Sequence, residues 1–356
     1  MRNEPVCPQH GPHHASVDRD LFGVTKDGVP VERYTLHNAR GMTVRIITYG
    51  ATVTELLAAD RHGQLADVVL GFDNLHQYET VNPYFGSTIG RVAFRTTNAE
   101  FTLDGRTYRL TRNAGPHHLH GGTRGLSHVV WQAEPLFNTD SPAVRFRCHS
   151  PDGDQGYPGN LDASVVFTLS DTCALHIDYL ATTDQATPVN LTHHSYFNLA
   201  GAAAGDVLGH LLQLAADRHT PTDAALIPTG EIATVRNTPF DFQEKTEIGA
   251  RIEAAGGYDL SYLRSADSDL VATLEDPVSG RRMEVTSTSP AIVLYTGNYL
   301  DGTLHGKESA VYRKHAAVCL ETGHLPDSVH QPAFPSIIVR PGDTYRERCT
   351  YRFSVA

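Results

Sequence analysis

Apolar residues along this chain recur with a period of two, and the 3.6-residue spacing of an amphipathic helix is nearly absent. In FTLDGRTYRL, residues 101–110, Phe101 and Leu103 share one face, Asp104-Gly105 forms a turn, and Tyr108 and Leu110 follow. The Asp-Gly pair suits a two-residue type I′ hairpin, because both central positions of that turn need positive φ. Val165, Phe167 and Leu169 alternate in the same way, as do Leu175, Ile177 and Tyr179 after the polar break SDT. RRMEVTSTSPAIVLYTG, residues 281–297, supplies two further strands, and only EIGARIEAAGG, residues 247–257, has helical spacing. Strands at this density, separated by frequent turn signals, predict an all-β chain folded as a large antiparallel β-sandwich or barrel.

No repeat, low-complexity tract or linker divides the 356 residues, so one large β domain over residues 21–356 is expected, with residues 1–20 as a flexible N-terminal tail rich in His and Pro. Acidic residues outnumber basic ones 40 to 29, for a formal charge of −11. A nucleic-acid or anionic-membrane surface would need a basic patch, so a small neutral molecule is the partner that fits. The beginning of the sequence has no apolar segment with a cleavage signal, and no apolar run reaches the ~18 residues of a membrane span. Five cysteines (Cys7, Cys148, Cys173, Cys319 and Cys349) occur without C-x-x-C pairing and in odd number. They read as reduced thiols in a cytoplasmic protein.

Several chemical signatures fail on inspection. GGTRG, residues 121–125, lacks the Lys-Ser/Thr of a phosphate loop. DGDQG, residues 152–156, begins like a calcium loop, but Tyr157 replaces the required glycine and Ala163 the bidentate Glu. No G-x-S-x-G elbow is present. In HHLHGG, residues 117–122, His118 and His120 would share a face of an extended segment and could join His194 in a three-histidine zinc site. A chance H-x-H is expected among twenty histidines, and no metal is assigned.

VNLTHHSYFNLAG, residues 189–201, places two histidines within a run of β-formers. Alternation puts Asn190, Thr192 and His194 on one face and Val189, Leu191 and His193 on the other, so only one of the histidines can serve a polar site. In AVCLETGHLPD, residues 317–327, Val318, Leu320 and Thr322 alternate with Cys319 and Glu321, which sets Glu321 on the less apolar face of its strand. A satisfied core histidine and a solvated acid are the structural alternative for this pair.

NPYFGSTIGRVAFR (82–95), NAGPHHLHGGTRGLSHVVW (113–131), SPDGDQGYPGNL (150–161), PVNLTHHSYFNLAG (188–201), LYTGNYLDGTLHGK (294–307) and CLETGHLPDSVHQPAFPS (319–336) resemble, in collinear order, the aldose 1-epimerases or galactose mutarotases. The likeness runs from about residue 22 to the end of the sequence. It implies the large β-sandwich of the galactose mutarotase type, His194 as general acid, Glu321 as general base, and Arg95, His120 and Asp259 in contact with the sugar. Tyr196, Phe94 and Val293 fall at substrate-binding positions. No metal or organic cofactor is implied, and monomer and homodimer both stay open.

The chain departs from the family pattern at several of these places. The family usually reads G-R-V-A-N-R where residue 94 is Phe; Asn is common at His193; His-Asn is common at Leu260-Ser261; and glutamines align with Val293 and Gly323. Amides that could hold two sugar hydroxyls are thereby mostly replaced by groups that hold none. The expected function is cofactor-independent interconversion of the α and β anomers of an aldose through ring opening and reclosure. The alternatives are the same His/Glu pair acting on a less hydroxylated or more apolar hemiacetal-like substrate, such as a deoxy sugar or a secondary metabolite, and a non-catalytic carbohydrate-binding protein.

Overall fold

The computed structural model describes residues 14–137, 141–265 and 268–356. Its largest unit is a nine-stranded sheet in which every pairing is antiparallel, running Gln132–Leu136, Ala143–Ser150, Leu161–Leu169, Ala174–Thr183, Tyr345–Val355, Arg281–Ser287, Leu270–Glu275, Leu211–Leu214 and Thr246–Glu247. The C-terminal strand thus inserts in the middle, beside Ala174–Thr183. A five-stranded meander between Ser16 and Asp67 forms a second sheet. A third runs Ala233–Thr234, Arg218–Thr220, Asp259–Leu263, Ala291–Tyr295 and Cys319–Gly323.

Alternation tells which faces meet. Val165, Phe167 and Ile177 of the large sheet, Val44 and Val53 of the meander, and Ile292, Leu294 and Leu320 of the third sheet share one buried apolar core. The fold is the expected all-β sandwich. The Asp104-Gly105 hairpin also forms, joining Glu100–Leu103 to Arg106–Arg109 with positive φ at both turn residues. Residues 248–255 contain short helical turns as expected, and a further short helix, Leu75–Thr80, was not foreseen. Its N-cap Asn74 accepts a hydrogen bond from the Gln77 amide.

Two sequence expectations need correction. Strand Ser16–Val24 pairs with Pro30–His37, so residues 16–20, assigned to the tail, belong to a sheet; residues 1–13 of that tail lie outside the described residues. Cys148, Cys319 and Cys349 are free, but Cys173 is disulfide-bonded, against the reading of all thiols as reduced. Among the described residues no helix is long and apolar enough to cross a membrane.

Candidate active site

The strand Cys319–Gly323 shows how a polar site arises in a strongly apolar segment. All five of its residues are buried. Leu320 points into the sandwich core, so Glu321, its neighbour, must point out through the opposite face of the third sheet. In register across the sheet, Glu321 faces Val293, Val293 faces Ser261, and Tyr295 faces Asp259. These residues alternate with Ile292, Leu294 and Leu260, which join the core. Leu260, expected at a sugar-contacting position, therefore faces away from the site. Ser261 is buried and is not among the residues that line the cavity.

His194 arrives from a different segment. Its amide donates to the Ser87 carbonyl at 3.0 Å, and its own carbonyl accepts from the Gly86 amide at 3.0 Å. Gly86 adopts φ +64°, and a Cβ there would lie 1.9 Å from the Val53 carbonyl oxygen, so only glycine permits this approach. Two residues earlier, the Thr192 hydroxyl donates to the Thr322 carbonyl at 2.8 Å, fastening the segment beside Glu321. The outcome is His194 Nε2 3.6 Å from Glu321 Oε1, with the two side chains only 5% and 3% exposed. That separation is in ion-pair range but too long for a hydrogen bond, which leaves both atoms available to a third party. Glu321 Oε2 and His194 Nδ1 are buried without a hydrogen-bond partner among the described residues.

The imidazole is held by rings. Tyr196 stacks on it with centroids 5.0 Å apart, Tyr84 is near-parallel at 6.0 Å, and His120 meets it edge-on at 5.2 Å. The Tyr196 hydroxyl donates to the Pro83 carbonyl at 3.0 Å and so ties this stack to the loop that carries Tyr84. These residues, with Phe94, Arg95, Leu119, Asp259, Val293, Tyr295 and Tyr299, surround an open cavity of about 170 Å3.

His120 and Phe94 are locked together. The Phe94 amide donates to His120 Nδ1 at 3.2 Å, and the His120 amide donates to the Phe94 carbonyl at 3.0 Å. With Nδ1 as acceptor, the neutral ring carries its proton on Nε2. Tyr84, Phe94 and His120 all have positive φ, at +70°, +69° and +52°. Side chains held in that region cost about 1–3 kcal/mol each, and such strain gathers where a surface is shaped for a ligand.

His118, the other half of the H-x-H pair, has both nitrogens occupied, Nδ1 by the Thr111 carbonyl at 2.6 Å and Nε2 by the Tyr157 hydroxyl at 2.8 Å. It cannot join His120 and His194 around a metal, because its ring is committed elsewhere. Among the described residues no group of three His, Cys, Asp or Glu is arranged to hold a metal ion. His193 turns into the core, as alternation requires, against Phe167 and Tyr351, with Nε2 2.7 Å from the Ser195 hydroxyl.

Burial dominates the electrostatics. It lowers His194 to about 4 and His193 to about 3, and it drives His120 well down with help from the neighbouring His194 and Arg95. It raises Glu321 well above the usual carboxylate range; the nearby Asp259 pushes further up, and Arg95 opposes. Asp259 is raised by burial against the same Arg95. A carboxylate near His194 would by itself favour imidazolium, but desolvation outweighs that attraction here.

An antiparallel sandwich with a buried imidazole and carboxylate side by side in an aromatic-lined cavity defines a β-sandwich protein of the galactose mutarotase type. The sequence model of the family described as Aldose 1-epimerase matches residues 32–352. The chain is 44% identical to the galactose mutarotase of Homo sapiens over 96% of its own length and 100% of the relative's. It is 35% identical to the aldose 1-epimerase of Escherichia coli over 92% and 96% of the two chains. The crystal structure of the galactose 1-epimerase from Lactobacillus acidophilus superposes with a TM-score of 0.85 at 26% identity, covering 96% of this chain and all of that one. The chain belongs to the aldose 1-epimerase family, whose members are isomerases.

His194, Glu321, Arg95, His120, Tyr196, Asp259, Phe94 and Val293 all line the cavity, whereas Leu260 and Ser261 do not. Sequence reasoning missed Tyr84, Tyr295 and Tyr299. Tyr84 lies within the quoted segment 82–95, but no spacing rule marks a tyrosine that acts by stacking.

Proposed function

We propose that this protein is an aldose 1-epimerase that interconverts the anomers of an aldopyranose with Glu321 as base and His194 as acid. The observation that carries the reading is the adjacency of Glu321 Oε1 and His194 Nε2 on one cavity wall. The two oxygens that must exchange protons, the anomeric hydroxyl and the ring oxygen, are bonded to a single carbon, so their acid and base must also be neighbours.

Glu321 takes the proton of the anomeric hydroxyl while His194 gives one to the ring oxygen. The bond from the anomeric carbon to the ring oxygen breaks, leaving an aldehyde and a ring hydroxyl. Rotation presents the other carbonyl face, the hydroxyl attacks, and each proton returns to its source. The first transfer leaves a carboxylic acid and a neutral imidazole, which is the distribution that burial favours in this cavity. The site therefore stabilises the protonation state that accompanies the open-chain intermediate. Acid and base assistance of this kind typically contributes about 10²- to 10⁴-fold.

Arg95 and Asp259, which line the same cavity, would bond sugar hydroxyls as donor and acceptor, and His120 would donate through Nε2. These groups come from segments spread between residues 95 and 321, which supports reading the chain as a single domain. Polarimetry with pure α-galactose and α-glucose tests the proposal. Equilibration faster than buffer that disappears in a folded His194→Ala variant is expected, and a rate equal to buffer for every aldose would refute it.

A further inference from the structure

The cavity is chemically two-sided. Arg95, His120, His194, Asp259 and Glu321 supply its polar part, whereas Phe94 and Val293, each 5% exposed, form an apolar wall backed by Ile89 and Ala93. Val293 stands directly across the strand pair from Glu321, so the apolar surface begins one strand away from the carboxylate. Gly323, the next residue on Glu321's face, contributes no side chain. A Cβ there would lie 3.3 Å from Phe94 Cε2 and 3.1 Å from Asn190 Oδ1, so the Phe94 ring already occupies the space a longer residue would claim. The nearby Asn190 amide is already engaged, its oxygen accepting from the His324 amide at 2.9 Å and its nitrogen donating to the His324 carbonyl at 3.3 Å. Neither Phe94 nor Val293 carries a side-chain group that can bond a hydroxyl.

We propose that the apolar wall formed by Phe94 and Val293 receives a hydroxyl-free edge of the sugar, and that the preferred substrates are deoxy aldopyranoses. The inference rests on the anomer-interconverting reading above and names its substrate class. A hydroxyl pressed against these two side chains gives up its water and gains no partner, whereas a CH2 or CH3 in the same place gains contact area. An apolar pocket distinguishes groups of this size by about tenfold to a hundredfold.

The test is kcat/KM for galactose and glucose and for their 2-, 3-, 4- and 6-deoxy derivatives, followed from pure anomers by polarimetry with the spontaneous rate subtracted. At least one deoxy aldose should exceed its parent by about tenfold or more. Val293→Gln and Phe94→Asn, which restore an amide to the wall, should each shrink that ratio. Parent sugars outrunning every deoxy derivative in the wild type would overturn the inference while leaving the epimerase reading intact. A ratio unmoved in both folded variants would overturn it equally. No turnover of any aldose would instead overturn the epimerase reading itself. Should neither variant fold, the wild-type series decides alone.

Discussion

Among the described residues two His–Glu pairs are made of the same residue types, one buried in the cavity and one half-buried elsewhere, and they differ in almost everything else. His194 and Glu321 lie 3.6 Å apart in the cavity, with Glu321 Oε2 unpartnered. His324 Nε2 lies 3.4 Å from Glu347 Oε1, each side chain 14% exposed, and Glu347 also accepts from the hydroxyls of Thr288 and Ser289. Burial pushes both carboxylates up. At Glu347 the hydrogen bonds from His324, Thr288 and Ser289 overcome it and hold the group below its ordinary value; at Glu321 no donor answers, and the group is raised. The donors around a carboxylate, more than its burial or its histidine, decide whether it is an anchored anion or a base waiting for a proton.

The largest test of that contrast is kinetic. Glu321→Gln and His194→Gln should each lower kcat/KM by about 10²- to 10⁴-fold, with the double variant little worse than the poorer single one, because the two groups act as a unit. Glu347→Gln should stay close to wild type. A comparable loss in that variant, with the fold intact by circular dichroism, would erase the distinction between the pairs.

Stability should rank them the opposite way. Glu347→Gln leaves donors without their anion and should cost about 1–3 kcal/mol in urea unfolding. Glu321→Gln replaces a carboxyl group whose neutral form burial already favours by a neutral amide of the same shape and should change stability little. Equal losses in the two variants would contradict the argument.

The pH dependence sharpens the comparison further. Glu347, depressed in the folded state, contributes stability that is present above its ordinary value of 4.5 and is lost as pH falls through the folded value. Glu321, raised, contributes in the opposite sense: its part is present below 4.5 and is lost as pH rises toward its folded value. The neutral His194 adds an acid-side loss between 6.5 and about 4, where the unfolded chain binds a proton that the folded one refuses. Activity should follow a bell in kcat/KM. Its acid limb belongs to the fully protonated pair, near 4, and its alkaline limb to loss of the last shared proton. Urea titrations across pH for the wild type and both Gln variants would expose the two signs, and a single flat profile would remove them.

The smallest expected effect is that of Tyr196→Phe. It keeps the ring stacked on His194 and removes the bond to the Pro83 carbonyl, so it should cost about 0.5–1.5 kcal/mol of stability. A collapse of activity in this variant would show that the hydroxyl, and not the ring, is what the site needs from Tyr196.

Much of the site is legible along the chain because side-chain direction in a strand is local. Alternation in residues 189–194 separates His194 from His193, and the structure sends them to cavity and core respectively. In Cys319–Gly323 it sets Glu321 apart from Leu320 in the same way. The rule misjudges His118, since two residues on one face of an extended segment need not share a partner once His120 takes a positive φ and its ring bonds the Phe94 amide. Leu260 was misplaced because an aligned position says nothing about which face its strand presents to the core. The pairing partners of residues 16–20 lie in the strand that follows, and turn-poor, polar segments of that kind are easily mistaken for a tail.

The family resemblance brought Phe94, Val293 and Gly323 into the reading; what the order of amino acids determined by itself is the all-β character and the strand faces that separate His194 from His193 and Glu321 from Leu320. These follow from periodicity and side-chain chemistry, which each residue carries locally. Only the folded sandwich decided that segments 86–87, 192–194 and 319–323 meet, that tyrosines enclose the imidazole, and that the pair's protonation is inverted from its ordinary order. Those properties depend on how much water is removed around each group, and desolvation is set by every chain segment that packs there.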